Sequence, residues 1–133
     1  MKGYLVDVGL AAHLVRLGRP EAIDVSPMRG ALFETLVAGE IRKMAGALDS
    51  RPALYHFRSH GGAEVDLVLE HDGALWPVEI KCTAVVTTTH ERGFKALRET
   101  FPTARFGPNL LVAAVPEVRR LSRETTVIPW DLI

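Results

Sequence analysis

The sequence predicts an α/β domain, a mixed sheet flanked by helices, with its core elements in the order helix, three strands, helix, strand. Three observations carry this. Apolar residues recur at three- and four-residue steps over residues 28–48, as on one helix face. Two alternating segments meet at an Asp-Gly turn within residues 64–81, and an unbroken apolar run over residues 109–115 is closed off by Pro108 and Pro116. At 133 residues, 47% of them apolar, the chain can bury one core but is too short to divide comfortably into two.

Taken in order, residues 4–17 read as a short extended piece and then a packing helix. Asp7 is its N-cap, Leu10, Leu14 and Leu17 form its stripe, and Gly18 ends it. Residues 18–27, with Pro20 and Pro27 and little periodicity, are the expected hinge, so 1–26 form an N-terminal helical linker segment and 27–133 the main domain. On the long helix, Phe33, Val37, Ile41, Met44 and Leu48 make the buried face, with Glu34 and Glu40 on its opposite flanks. Residues 54–58 read as a strand running into a loop or bulge at Ser59 to Gly62, and residues 64–70 and 75–81 as the arms of a β-hairpin. Residues 87–101 form a helix facing inward through Phe94, Leu97 and Phe101, and Pro102 ends it. The run 109–115 should be a central strand covered on both faces, and residues 126–132 a last strand that Pro129 places at an edge.

Composition narrows the function classes. Sixteen basic and sixteen acidic residues leave no net charge to hold a polyanion nonspecifically, so any nucleic-acid contact needs a local patch. Arg92, Lys95, Arg98, Arg105, Arg119, Arg120 and Arg123 are the candidates for one, although alternating charge is commonly just a solvated face. The single cysteine, Cys82, rules out an internal disulfide and any multi-thiolate zinc site, and it suits a reducing, cytoplasmic setting. No apolar stretch approaches the roughly 20 residues that span a bilayer, so no membrane association is expected. There is no G-x-x-x-x-G-K-[ST] phosphate loop, hence no nucleotide site in this chain.

The hairpin carries the chemistry. With Asp72 and Gly73 at the turn, Asp66 faces Glu79 and Glu64 faces Lys81, all on one side, while Val65, Leu67 and Leu69 meet Val78 and Ile80 on the other. Opposed carboxylates with Cβ atoms about 5 Å apart repel, and a hard divalent cation, Mg²⁺ or Mn²⁺, turns that repulsion into chelation. Lys81, on the same side as Glu79, can hold an attacking water or offset charge on a phosphorane-like transition state. The plain alternative is a solvated face with a Glu64–Lys81 ion pair. Ser59 and His60 read as turn-formers, His13, His56, His71 and His90 lack metal-ligand spacing, and Cys82 falls on the apolar side.

Asp66, then Glu79-Ile80-Lys81, resembles the D…(D/E)-x-K signature of the restriction-endonuclease-like superfamily, whose core is similar to the element order above. More narrowly, Asp7-Val8-Gly9-Leu10, Gly30-Ala31-Leu32-Phe33-Glu34, Glu40-Ile41, Arg58-Ser59, Gly62-Ala63-Glu64-Val65-Asp66, Pro77-Val78-Glu79-Ile80-Lys81 and Ile128-Pro129-Trp130 together resemble the uncharacterised PD-(D/E)xK domain found C-terminal to AAA+ ATPase modules. The resemblance implies metal ligation by Asp66 and Glu79, a catalytic Lys81, and an accessory acid from the first core helix. That acid maps to Glu34, with Glu40 as the substitute. It further implies a metal-dependent endonuclease acting on DNA, or a non-catalytic nucleic-acid- or protein-binding module of an ATPase assembly. Family members usually begin with the nucleotide-binding module, so this chain reads as a fragment or a free-standing remnant.

Overall fold

The computed structural model describes residues 3–133. Four helices, α1 (Val8–Leu14), α2 (Pro20–Asp24), α3 (Arg29–Gly46) and α4 (Arg92–Thr100), accompany seven strands among these residues. The strands are β1 (Ala53–Arg58), β2 (Glu64–His71), β3 (Ala74–Lys81), β4 (Arg105–Phe106), β5 (Asn109–Ala113), β6 (Arg119–Arg120) and β7 (Thr125–Pro129). They form one mixed sheet in the order β1-β2-β3-β5-β7-β6, with β4 alongside the start of β3. β1, β2 and β3 run antiparallel, whereas β3, β5 and β7 are parallel. A parallel pair needs a crossover, and α4 supplies it between β3 and β5.

The two long helices cover the sheet. Val37, Ala38 and Ile41 of α3 pack on Leu67, Val78, Ile80 and Val112, while Phe94 and Leu97 of α4 pack on Val65 and Val68. α4 sits close because residue 93 is glycine: a Cβ there would lie 1.8 Å from the main-chain oxygen of Glu64. β5 is central as expected, with Leu111, Val112 and Ala113 fully buried between β3 and β7. Pro77 is tolerated inside β3 because the neighbour on that side changes there, from β4 at Leu75 to β5 at Val78, so the missing N–H interrupts no ladder.

Several sequence expectations need correction. α1 takes Asp7 as its N-cap, whose side chain accepts the Leu10 N–H at 2.7 Å, but it ends before Gly18, at Leu14, and Arg16 makes the left-handed turn with φ 60°. Its buried side is Ala11 and Ala12 against Leu32, small residues that let two backbones approach, and the leucines at 10 and 14 stay exposed. The hinge contains α2, begun by Pro20 in the helix's first turn. Met44 and Leu48 overhang the end of the α3 core face and are exposed, as is Phe101, whose ring meets Phe57 edge-on. The segment before α4 is a 3-10 turn, Thr88–Glu91. β7 is not an edge strand, because β6 pairs with it at Thr126 and Val127. Ahead of α1, Tyr4 packs against the main core cluster.

Candidate active site

The hairpin turn follows from two residues. Asp72 and Gly73 both take positive φ, 51° and 69°, the twist that suits a two-residue hairpin connection. From there the pairing runs in the predicted register, His71 with Ala74 through Leu67 with Val78.

Beyond Leu67 the strand changes. β1 pairs Tyr55 with Val68 but Phe57 with Val65, so two steps on β1 span three on β2, and the extra residue is a bulge beside Asp66. The bulge turns Val65 to the α4 face with Val68, Phe94 and Leu97, not to the α3 face with Leu67 and Ile80 as alternation predicts. The β2–β3 ladder stops at Leu67 with Val78, so neither expected facing, Asp66 with Glu79 or Glu64 with Lys81, is a ladder pair; the Glu64 carboxylate lies 3.9 Å from His56 Nε2.

Side chains hold the hairpin together where the ladder stops. Asp66, only 3% exposed, accepts the Ile80 N–H on Oδ2 at 2.8 Å. Lys81 Nζ lies 2.5 Å from Glu79 Oε1 and 3.9 Å from Asp66 Oδ2, which brings the two acids and the lysine into one cluster. Glu34 approaches from α3. Its Oε1 accepts from the Tyr4 hydroxyl at 2.6 Å, and the same hydroxyl lies 3.4 Å from the Asp66 carbonyl oxygen. Glu40, the substitute acid, is paired with Lys43 at 2.6 Å on the other flank and takes no part.

The electrostatics follow from burial. Desolvation first, and the Asp66 charge second, push the Glu79 carboxyl up to about 7 against the opposing pull of Lys81. Burial works against the Lys81 charge, but Glu79, Asp66 and Glu34 outweigh it and hold the ammonium above the ordinary lysine value. One oxygen is left over. Glu79 Oε2 is buried and has no hydrogen-bond partner among the described residues, a costly state for a carboxylate oxygen.

That orphaned oxygen, beside a second buried carboxylate, fits a hard cation. Among the described residues no three His, Cys, Asp or Glu side chains converge closely enough to hold a metal. The donor set is therefore two carboxylates, Asp66 and Glu79, with Glu34 at one remove. Mg²⁺ is commonly held in this way, by one or two carboxylates with water and substrate oxygens completing its shell.

The remaining candidates have structural employment. Ser59 Oγ accepts the Ala63 N–H at 3.0 Å, as a turn-former does, and His60 is exposed. His56 Nδ1 lies 3.1 Å from the Val65 carbonyl, His71 Nε2 lies 2.9 Å from that of Ser50, His90 caps the 3-10 turn and His13 is exposed. Cys82 lines an apolar cavity of about 370 Å³ with Leu32, Phe33 and Trp130. Of the seven bases, Arg92, Arg98, Arg105 and Arg119 donate to main-chain oxygens of Gly61, Gly107, Asp72 and Val86, and Arg98 also stacks on Phe106. Lys95, Arg120 and Arg123 are exposed. The groove of about 980 Å³ beside α4 mixes Arg92, Lys95 and Arg123 with Glu91, Glu99 and Glu124, and none of the four site residues lines it.

Tyr4 was not anticipated. No periodicity marks it, and its contacts span 30 and 62 positions along the chain. Its only visible signal is an aromatic ring placed just before the Asp7 helix cap.

Fold and site together describe a mixed α/β domain with two buried acids and a lysine gathered at the open end of a hairpin. Residues 29–133 match a family described as a domain of unknown function, DUF4143, and the chain belongs to that family. No curated protein and no solved structure matches it. No helix among the described residues is long and apolar enough to cross a membrane.

Proposed function

We propose that this domain is a Mg²⁺- or Mn²⁺-dependent nuclease of the PD-(D/E)xK, restriction-endonuclease-like type, acting on DNA phosphodiesters. The observation that carries the reading is the cluster of two buried acids, Asp66 and Glu79, with the half-buried Lys81, and one Glu79 oxygen unpartnered among the described residues. Asp66 and Glu79 would hold the cation, and Glu34 would take a water-bridged or second ion. Bound there, a divalent cation supplies Lewis-acid stabilisation of phosphoryl charge and lowers the pKa of an attacking water. Lys81, released from Glu79 once that carboxylate has another partner, is placed to orient the water or offset charge on the phosphoryl oxygens.

The test is incubation with supercoiled, linear, branched and single-stranded DNA in Mg²⁺ or Mn²⁺. Cleavage should fall by at least about 100-fold in Lys81→Ala, the scale of losing a charge-stabilising donor. Cleavage that ignores the substitution would assign the activity to another site or to a contaminant.

A second reading, a non-catalytic binding or regulatory module of an AAA+ ATPase assembly, draws support from one observation. Four of the seven arginines and lysines that could follow a phosphate backbone are bonded to the protein's own carbonyls. A domain that binds Mn²⁺ through Asp66 yet cleaves none of the four DNA forms would favour this module.

A further inference from the structure

We propose that Tyr4 is a positioning residue for Glu34, through which the segment ahead of α1 sets the affinity of the candidate cation site. The inference rests on the metal reading above and extends it to a residue outside the matched family region, 29–133.

The geometry is direct. The partly buried Tyr4 ring packs against the core cluster that includes Val37, Ala38 and Leu67, which gives the hydroxyl a fixed origin. It donates to Glu34 Oε1 at 2.6 Å, the length of a hydrogen bond to a charged acceptor, and lies 3.4 Å from the carbonyl oxygen of Asp66. One phenol thus ties the accessory acid of α3 to the bulge that carries a proposed ligand. A glutamate has three side-chain torsions, and on a half-buried helix flank the phenol bond fixes where one of its oxygens lies. A bond of this kind around metal ligands sets their orientation and commonly governs affinity.

The segment is also suited to change. Leu5 and Val6 are 49% and 71% exposed, and they border a cleft of about 310 Å³ shared with Leu54, Tyr55 and His56 of β1. The following helix is held to α3 through Ala11 and Ala12 against Leu32, with Val8, Leu17 and Ile23 packed around them. Displacement of residues 3–7 would take the phenol away from Glu34 while leaving Asp66, Glu79 and Lys81 on the sheet.

The experiment is a calorimetric Mn²⁺ titration of the full chain as wild type, Tyr4→Phe, Glu34→Gln, the double variant and Asp66→Ala, with melting temperatures measured alongside. Tyr4→Phe keeps the partly buried ring and removes only the hydroxyl. It is expected to weaken Mn²⁺ binding roughly 10-fold, with Glu34→Gln at least as damaging and the double variant no worse than Glu34→Gln alone. Unchanged or tighter binding in Tyr4→Phe, or losses that add in the double variant, would overturn the proposal, even if the melting temperature falls. If the wild type takes up no Mn²⁺, or Asp66→Ala still binds it, the metal reading itself fails and this proposal with it. Binding lost in Asp66→Ala but unmoved in Tyr4→Phe removes the proposal alone.

Discussion

The two ends of one hairpin are built on different principles. At the turn end, Leu67–His71 faces Ala74–Val78 residue for residue, and the main chain makes its own ladder. At the open end a bulge interrupts that pattern, and carboxylates and an ammonium do the joining: Asp66 takes the Ile80 N–H, and Lys81 binds both Asp66 and Glu79. A backbone ladder satisfies its groups in pairs, whereas a clasp of side chains can leave an atom over, as it does with Glu79 Oε2. The turn end therefore holds the fold together. The open end holds it together and keeps a buried carboxylate oxygen without a hydrogen-bond partner among the described residues.

The contrast is most sharply tested at Asp66. Asp66→Ala strands a buried N–H and two charged neighbours, and it should cost about 3 kcal/mol in urea denaturation as well as abolish Mn²⁺ binding. Asp66→Asn retains an acceptor for Ile80 and should recover most of the stability without recovering the metal. An alanine variant as stable as wild type would mean that the clasp does not secure the open end.

A smaller effect is expected at the turn. Gly73 sits at φ 69°, so Gly73→Ala should cost about 1 kcal/mol while leaving Mn²⁺ affinity unchanged. A change in affinity would show that the two ends are coupled and that the division drawn here is too strict.

The smallest effect is in pH. The Glu79 carboxyl is raised from 4.5 to about 7 in the folded protein, so the folded chain holds its proton more tightly than the unfolded one. The stability this contributes is fully present below about 4.5 and is lost as pH rises through about 7. The metal-free protein should accordingly melt lower at about pH 8 than at about pH 5, and Glu79→Gln should flatten that trend. Mn²⁺ binding should move the opposite way, strengthening over the same interval because the proton must leave before the cation enters. A wild-type melting temperature that does not decline would argue against an unstabilised charge on Glu79.

Much of this was open to reading from the chain alone. The 3.6-residue recurrence marked α3, the Asp72-Gly73 pair and flanking alternation marked the hairpin and the register of its turn half, and the apolar run between two prolines marked the buried β5. The spacing of Asp66, Glu79 and Lys81 marked two acids and a lysine that the structure gathers into one cluster. These are local signals, since each depends on a residue's own backbone preferences and on neighbours a few positions away.

The remainder was settled by contacts between distant segments. The bulge that buries Val65 against Phe94, the close approach of Gly93 to Glu64, the pairing of Glu40 with Lys43 while Glu34 meets Tyr4, and the two-residue β6 that covers β7 all join residues whose proximity no short window encodes. Spacing could supply two acids and a lysine on one hairpin. Only packing pairs Glu40 with Lys43 on one flank of α3 and brings Tyr4 from the head to Glu34 on the other, because those contacts depend on how helix and sheet faces fit together.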